Sequence, residues 1–400
     1  MTDLAERTES SSGGENEQPV KVKCFAAPGL WGAMNSLGAG GAQSPYLVNT
    51  ANALTFCLMV VSCWFTSSIV KYIGIKGALF VGTIGYAPYS AGLYLNNRYG
   101  VEWLVILGAA LCGVSAGIFW AAEAAIAIAY PEPRNRSRIV AYWLTWTKIG
   151  QILGGAVNLG LNADRNQAGK VSYNVYLIFI ALQASGTLVA LLLNDPSKVQ
   201  RPNGTPVQLT IFENPWNELK ATTKTFFTRK FLLIIFWIGQ GVYSEAVFFT
   251  YNSLWFSGAW WLWLTINVTE YNRTQPLFDW VDPGFGRAFG VFVFLVAGFQ
   301  LNYNFSYFII GQISSSPQET IRLAALLRGT ESAWQALSYG LNAIPIIASI
   351  GGPYINFGLW GAAIIPVWFV IKDFGIPKKT DEESPSIETH GDLQKGGASD

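Results

Sequence analysis

The sequence predicts an all-α protein that crosses a lipid bilayer many times. Charged residues make up only 13% of its 400 residues, whereas the nine apolar types make up 51%. The apolar residues are gathered in stretches of about 20, the length that an α-helix needs to cross the hydrocarbon core. The chain also holds 41 glycines and 16 tryptophans, as expected where helices pack closely and aromatic rings lie at the membrane interfaces.

The composition also argues against several other classes of protein. A net charge of +1 gives no reason to expect nucleic acid as a partner. The cysteines Cys24, Cys57, Cys63 and Cys112 lack the close spacing of a zinc site, and the one histidine, His390, lies near the C-terminus. No nucleophile, base and orienting group lie together at helical spacing. We therefore expect no enzymatic activity, no metal and no cofactor.

Ten stretches are predicted to cross the membrane, of which the first is glycine-rich and the weakest. They are 24–43, 46–70, 77–95, 101–130, 139–161, 172–193, 231–256, 286–311, 332–350 and 354–371. The tryptophan-rich segment 257–268 would extend over only about 18 Å as a helix, against a hydrocarbon core of roughly 30 Å. We expect it to lie in the interface.

The loops between these spans differ in charge. Most of the 26 Lys and Arg residues lie in the loops that would share one side of the membrane with the N-terminus. Because cytosolic loops are enriched in Lys and Arg, we predict that both termini are cytosolic.

Five regions follow from this pattern, arranged as two membrane bundles with polar segments around them. They are a disordered cytosolic tail at 1–20, a six-helix bundle at 21–194, a mobile cytosolic linker at 195–230, a shortened second bundle at 231–372 and a disordered cytosolic tail at 373–400. The linker contains Asn214-Pro215, which we expect to form a turn. Two bundles joined by such a linker are the plan of the major facilitator superfamily.

Several stretches carry a more specific resemblance. They are SLGAGGAQSPYLVNTANALTF, GTIGYAPYSAGLYLNNRYG, GIFWAAEAAIAIAYPEP, GQILGGAVNLGLN, DWVDPGFGR and LRGTESAWQALSYGLN. Together they resemble the fungal members of the Unc-ninety-three-like family within that superfamily. The family pattern implies twelve spans, so about two helices are expected to be missing after Trp255.

The resemblance implies a multi-pass transporter, or a transporter-derived protein, that moves a small solute or ion. It equally implies an alternative, a non-transporting escort or ion-channel regulatory subunit. The first function requires a lipid bilayer and a solute as partners. The second requires another membrane protein.

Two opposite charges in adjacent spans are the first candidate site residues. Glu123 and Lys148 lie at depths of about 10 and 13 Å from the same side, at 1.5 Å per residue. Ionised groups at such depths are rare and usually have a partner or line a pathway. The pair either couples a proton or substrate to movement, or forms a static bridge between helices.

Other polar residues fall at similar depths. Glu245 is predicted near mid-membrane, as a proton site or as a neutral acid bonded to a neighbouring helix. Gln151 lies three residues after Lys148 on the same helix face. Asn35 and Tyr86 are further candidates for a pathway, although each would serve equally well in helix packing.

Arg328 and Glu331 precede the predicted span 332–350. Their spacing of three residues allows them to pair on one helix face. At a cytosolic helix start we expect a solvated or interfacial pair, with a gate as the alternative.

Asn267 and Asn272 both fit the acceptor pattern for N-glycosylation. If residues 231–268 cross the membrane once, these asparagines lie on the side opposite the cytosol. We therefore predict a glycoprotein.

Overall fold

The computed structural model describes residues 29–36, 45–129, 136–162, 172–192, 214–255, 285–372 and 374. These residues fold almost entirely as helices. The helices are α1 (Leu30–Ser36), α2 (Pro45–Ile84), α3 (Tyr86–Tyr99), α4 (Trp103–Ala129), α5 (Arg136–Asn162), α6 (Tyr173–Val189), α7 (Pro215–Phe226), α8 (Arg229–Trp255), α9 (Phe285–Ile313), α10 (Pro317–Asn342) and α11 (Gly352–Ile371). We call α1–α6 the first half, α7 the linker helix and α8–α11 the second half.

Within these residues, four helical segments are long and apolar enough to cross a membrane. They are Tyr46–Tyr99, Trp103–Ala127, Tyr173–Leu192 and Tyr354–Ile371. The first contains 54 residues. At 1.5 Å per residue it extends for about 80 Å, which is enough for two crossings.

The two crossings are separated by a bend at Gly74. This residue has φ 69° and ψ 170°, a backbone conformation that side chains with a Cβ rarely adopt. The sequence VKYIGIKG was expected to be the loop between two spans. The chain turns there within a single glycine, and the predicted spans 46–70 and 77–95 lie on either side of it.

Close packing of α2 against α4 organises the first half. A Cβ at Gly113 would overlap the carbonyl of Thr55, and one at Gly117 would overlap the hydroxyl of Ser62. Ser62 Oγ donates to the Gly113 carbonyl at 3.2 Å. This glycine pair, spaced by four residues, therefore lets the two helices approach closely.

Helix α10 corrects one predicted boundary. The predicted span 332–350 is wrong, because the helix begins at Pro317 and ends at Asn342, and residues 347–351 form a π-helical turn. Ser316 caps its start by accepting the backbone N–H of Glu319 at 3.2 Å. The polar first part of α10 lowers its hydropathy, but these residues pack against α2 and α4 rather than facing water.

The linker also differs from expectation where it is described. Asn214-Pro215 begins a helix instead of a turn, because Asn214 Oδ1 accepts the backbone N–H of Trp216 at 2.9 Å and proline suits the first helical position. Ser68 of α2 donates to the Pro215 carbonyl at 3.1 Å. Within its described residues the linker is therefore a helix docked on α2, and its mobility stays a prediction.

Six of the remaining predicted spans end within a few residues of α4, α5, α6, α8, α9 and α11, whereas only residues 29–36 of the predicted span 24–43 are described. Other predictions lie outside the described residues. These concern most of both tails, the segment 257–268 and the missing helices after Trp255.

Candidate functional site

Arg328 is the centre of a buried polar cluster on α10. Its residue exposure is only 4%. One terminal nitrogen, Nη1, donates to the carboxylate of Glu331 and to the hydroxyl of Tyr303 on α9. The flat guanidinium lies over the indole ring of Trp120 on α4, with 4.2 Å between Cζ and the ring centroid. This arrangement places a cation between helices of the two halves.

Glu331 and Arg328 are three residues apart, a spacing typical of ion pairs on a helix surface, but Glu331 is buried. Its residue exposure is 1%, and its partner Arg328 lies one turn earlier on the same helix. The expectation of a solvated or interfacial pair is wrong. A carboxylate and a guanidinium removed from water each lose several kcal/mol of hydration, so their close contact offsets a large desolvation penalty.

Glu123 lies on the first-half side of the same cluster. The side chain is 1% exposed, and its Oε2 accepts the indole N–H of Trp143 at 3.1 Å. Trp143 in turn packs edge-on against Trp120, with 5.9 Å between ring centroids. Helices α4 and α5 thus hold a carboxylate close to the ring on which Arg328 lies.

Lys148 lies one step further along α5. Its Nζ is 5.2 Å from the centroid of the Phe299 ring on α9, a cation–π distance. Phe299 stacks on Tyr303, which contacts Arg328. A direct bond between Lys148 and Glu123 stays a prediction.

Aromatic rings join the two halves around these charges. Trp143 of α5 meets Tyr307 of α9 edge-on, with centroids 5.6 Å apart. The hydroxyls of Tyr303 and Tyr307 lie 3.5 Å from each other. We call the whole set, Glu123, Arg328, Glu331, Trp120, Trp143, Tyr303 and Tyr307, the Arg328 cluster. The cluster therefore combines ionisable side chains with a lining of aromatic rings.

A second buried ion pair links α10 to the linker helix. Arg322 Nε and Nη2 donate to the two carboxylate oxygens of Glu218 at 2.7 and 3.0 Å. Trp64 of α2 donates from Nε1 to Thr223 of α7 at 3.3 Å. Helix α7 therefore contacts both halves at once, through a forked pair on one side and a weaker hydrogen bond on the other.

Of the other predicted site residues, Tyr86 lies beside the cluster, within electrostatic range of Arg328 and Glu123. Gln151 packs against Gly32 of α1. Tyr86 is buried at the start of α3 and meets Phe119 edge-on. The side chains of Asn35 and Glu245, and all of Asn267 and Asn272, lie outside the part that the structure describes.

Little in the sequence indicated that the aromatic rings or Glu218 would belong to these sites. Trp120 lies three residues before Glu123, and Tyr303 and Tyr307 are four apart on α9, which are helical spacings. That spacing could have indicated shared faces. It could not indicate which rings would meet Arg328, since the contacts cross between distant parts of the chain.

The comparisons with known proteins agree with this architecture. The family model described as "Ion channel regulatory protein UNC-93" matches residues 44–251. The Notoamide biosynthesis cluster protein O' of Aspergillus versicolor is 37% identical over 411 aligned positions, covering 90% of this chain and 89% of that protein. UNC93-like protein 1 of Arabidopsis thaliana is 27% identical and covers 57% of this chain and 49% of its own length.

Two solved structures share the fold. The human organic anion transporter MFSD10 (TETRAN) has a TM-score of 0.55 at 11% identity, covering 89% of this chain and 99% of that one. The proton:xylose symporter XylE has a TM-score of 0.54 at 13% identity, covering 90% and 94%. These identities show the fold alone, which is that of a multi-pass membrane protein of the major facilitator type. The family match and the fungal relative show in addition that the chain belongs to the UNC-93 family.

Proposed function

We propose that this chain is a secondary transporter that moves a small solute or ion along a path between its two halves, at the Arg328 cluster. Movement would follow from the halves rocking about the cluster, so that it faces each side of the membrane in turn. No covalent chemistry is needed. Both termini would lie in the cytosol.

One observation carries the proposal: Glu123, Arg328 and Glu331 are all buried where α4, α9 and α10 meet. Charged groups within membrane bundles are expensive to bury and most often belong to a substrate or proton pathway. Apolar side chains of similar volume would often pack a static helix contact equally well or better.

The contacts across the halves are of a kind that can separate. The ion pair of Arg328 and Glu331 lies entirely on α10, so it moves with the second half. Across the boundary, Arg328 meets Trp120 as a cation over a ring, and Trp143 meets Tyr307 edge-on. Opening the halves therefore need not leave a bare charge in a dry interface.

The proposal can be tested without knowing the solute. The purified protein is screened for thermal stabilisation against a broad metabolite panel, because a ligand that binds only the folded state raises the midpoint of unfolding. Compounds that stabilise are then offered, radiolabelled, to proteoliposomes. We expect saturable uptake that falls in Arg328→Gln. If no compound in the panel stabilises the folded protein and none is taken up into proteoliposomes, the transport function would be contradicted.

A regulatory subunit is the second candidate, and the description of the matching family model favours it. In that case the chain would bind another membrane protein and respond to no solute. Capture of one stoichiometric partner by the intact protein, with unchanged capture in Arg328→Gln, would support this alternative.

A further inference from the structure

We propose that Arg328 binds the carboxylate of an aromatic monoanion, and that the ligand binds together with one proton taken up by Glu331. This inference rests on the proposed function and gives its site a substrate class. The protein leaves the Nε–H of Arg328 without a hydrogen-bond acceptor among the described residues.

Arg328 has a buried donor with no acceptor among the described residues. Its Nη1 serves Glu331 and Tyr303, whereas its Nε–H is buried and unpartnered. Leaving a buried donor unsatisfied costs about 1–3 kcal/mol, and more for a charged group. Such a donor in a closed cluster is expected where a ligand supplies the missing acceptor.

Arg322, six residues earlier on α10, shows what this edge of a guanidinium binds. Its Nε and Nη2 hold both carboxylate oxygens of Glu218 in a forked pair. The corresponding edge of Arg328 includes the unpartnered Nε. A carboxylate fits that edge with the same two parallel hydrogen bonds, which an ammonium or neutral ligand cannot form.

The lining around Arg328 selects an aromatic body for the ligand. The rings of Trp120 and Tyr303 contact the guanidinium, and Trp143 and Tyr307 extend this lining through edge-on contacts. Aromatic pairs in such geometries contribute about 0.5–1.5 kcal/mol beyond the apolar area that they bury. A flat ring can replace one of these contacts when the halves part.

The charges explain why a proton must accompany the anion. The single charge of Arg328 is already balanced by Glu331, which contacts the same guanidinium. A bound monoanion would add an uncompensated negative charge in a medium of low dielectric constant. Protonation of Glu331 removes that charge and frees the Nη1 side of Arg328.

Other titratable groups lie in or beside the Arg328 cluster on neighbouring helices. They are Cys63 on α2, Tyr86 on α3, Glu123 on α4, Lys148 on α5, and Tyr303 and Tyr307 on α9. Thiols, phenols and amines do not ordinarily titrate between pH 5.5 and 7.5. Glu123 is therefore the group from which the role of Glu331 must be distinguished.

The test is equilibrium binding of radiolabelled benzoate to the full chain in nanodiscs, with empty nanodiscs subtracted. Benzoate is ionised at both pH 5.5 and pH 7.5. We expect tighter binding at pH 5.5, by up to about tenfold per pH unit for one coupled proton. Benzamide and benzamidine, which match its shape but are neutral and cationic, should not compete. Competition by benzamide as strong as that by benzoate would overturn the proposal, as would absence of benzoate binding.

Variants of Arg328, Glu331 and Glu123 distinguish the residue that binds the carboxylate from the residue that takes up the proton. Arg328→Gln should weaken benzoate binding by roughly 10- to 100-fold, the loss of a charge-assisted bond. Glu331→Gln should bind tightly at both pH values, which keeps the proposal testable if Arg328→Gln does not fold. Glu123→Gln should retain the pH dependence. Retained binding in Arg328→Gln, or pH dependence lost in Glu123→Gln instead, would overturn it.

A matched control removes the other buried ion pair. The double variant Glu218→Gln, Arg322→Gln should bind benzoate as the wild type does, and a loss of binding there would contradict the assignment to Arg328. Uptake of a neutral or cationic solute without benzoate binding would refute this inference and leave the transport function standing. Benzoate binding without any transport would support this inference and refute the transport function.

Discussion

The guanidinium of Arg328 lies 4.2 Å from the centre of the Trp120 ring, while its counter-ion Glu331 is on its own helix. One contact between the halves is thus a cation over a ring, and the ion pair stays within α10. A desolvated contact of this kind contributes about 2 kcal/mol. Such a contact stabilises the association of the two halves and can still be broken when they separate.

The Arg328–Glu331 pair should be strongly coupled in stability. Removing either charge alone, in Arg328→Met or Glu331→Leu, should lower the free energy of unfolding by about 3–5 kcal/mol, because the other charge stays buried without its partner. Removing both charges, in Arg328→Met with Glu331→Leu, should restore most of it. Detergent-titrated unfolding of the three variants measures this, and additive losses would exclude a coupled pair.

The indole N–H of Trp143 should stabilise the protein through Glu123. Trp143→Phe removes the donor to a buried carboxylate and should cost about 1–3 kcal/mol. Trp146→Phe, on the same helix, is the matched control, since the buried Trp146 Nε1 has no partner among the described residues. Unfolding midpoints compare the two. Equal losses would show that ring packing, not the hydrogen bond, matters.

Pairing of Glu123 with Lys148 also stays testable. If the two interact, Glu123→Gln and Lys148→Met should each destabilise the protein, and the double variant should lose less than their sum. A coupling energy near zero in this cycle would exclude an interaction between Glu123 and Lys148.

The linker helix should protect the junction of the halves from proteolysis. We predict that residues 195–230 are cytosolic, so protease should cut only when added to inside-out vesicles. Cutting within 214–226 should accelerate in Arg322→Gln, because Glu218 then loses the forked pair that docks α7. Cleavage from the outer face of sealed vesicles would invert the predicted topology.

Glycosylation tests the same topology from the other side. Asn272, farther from the preceding apolar segment than Asn267, should be the better acceptor. We expect a glycosidase-sensitive mass shift that is lost in the double variant Asn267→Gln, Asn272→Gln. Labelling of a cysteine at position 272 from the cytosolic side would refute it.

Much of the fold could be predicted from the sequence because membrane helices carry their length in their hydropathy. Prediction failed at α10, where a hydropathy window cannot distinguish a polar residue buried in protein from one facing water. Arg322, Arg328 and Glu331 are all buried there. The expected turn at Asn214-Pro215 failed for a related reason, since these residues also suit a helix start.

The site was predicted less completely than the fold. The charges Glu123, Arg328 and Glu331 stood out because ionisable residues are rare in apolar stretches. Their closest neighbours did not, because tryptophan and tyrosine are abundant in this chain and common at membrane interfaces. Only the packing of α4, α5, α9 and α10 decides which rings face the charges.

Transport as proposed requires the two halves to separate between α2 and α10 so that the solute can pass. A Cβ at Gly329 would lie 3.6 Å from the Cβ of Cys63, within the usual range for a disulfide. Gly329→Cys with the native Cys63 should therefore join the halves covalently under a membrane-permeant oxidant. Gly329→Ser has nearly the same bulk as Gly329→Cys and cannot form the bond, and Gly329→Cys with Cys63→Ser controls for oxidation elsewhere.

The deciding measurement is uptake into proteoliposomes by Gly329→Cys protein before oxidation, after oxidation and after reduction. For the best solute from the stabilisation panel, we predict that oxidation abolishes uptake and reduction restores it, with both controls unaffected. Undiminished uptake by protein that is fully cross-linked between Cys63 and position 329 would contradict the account.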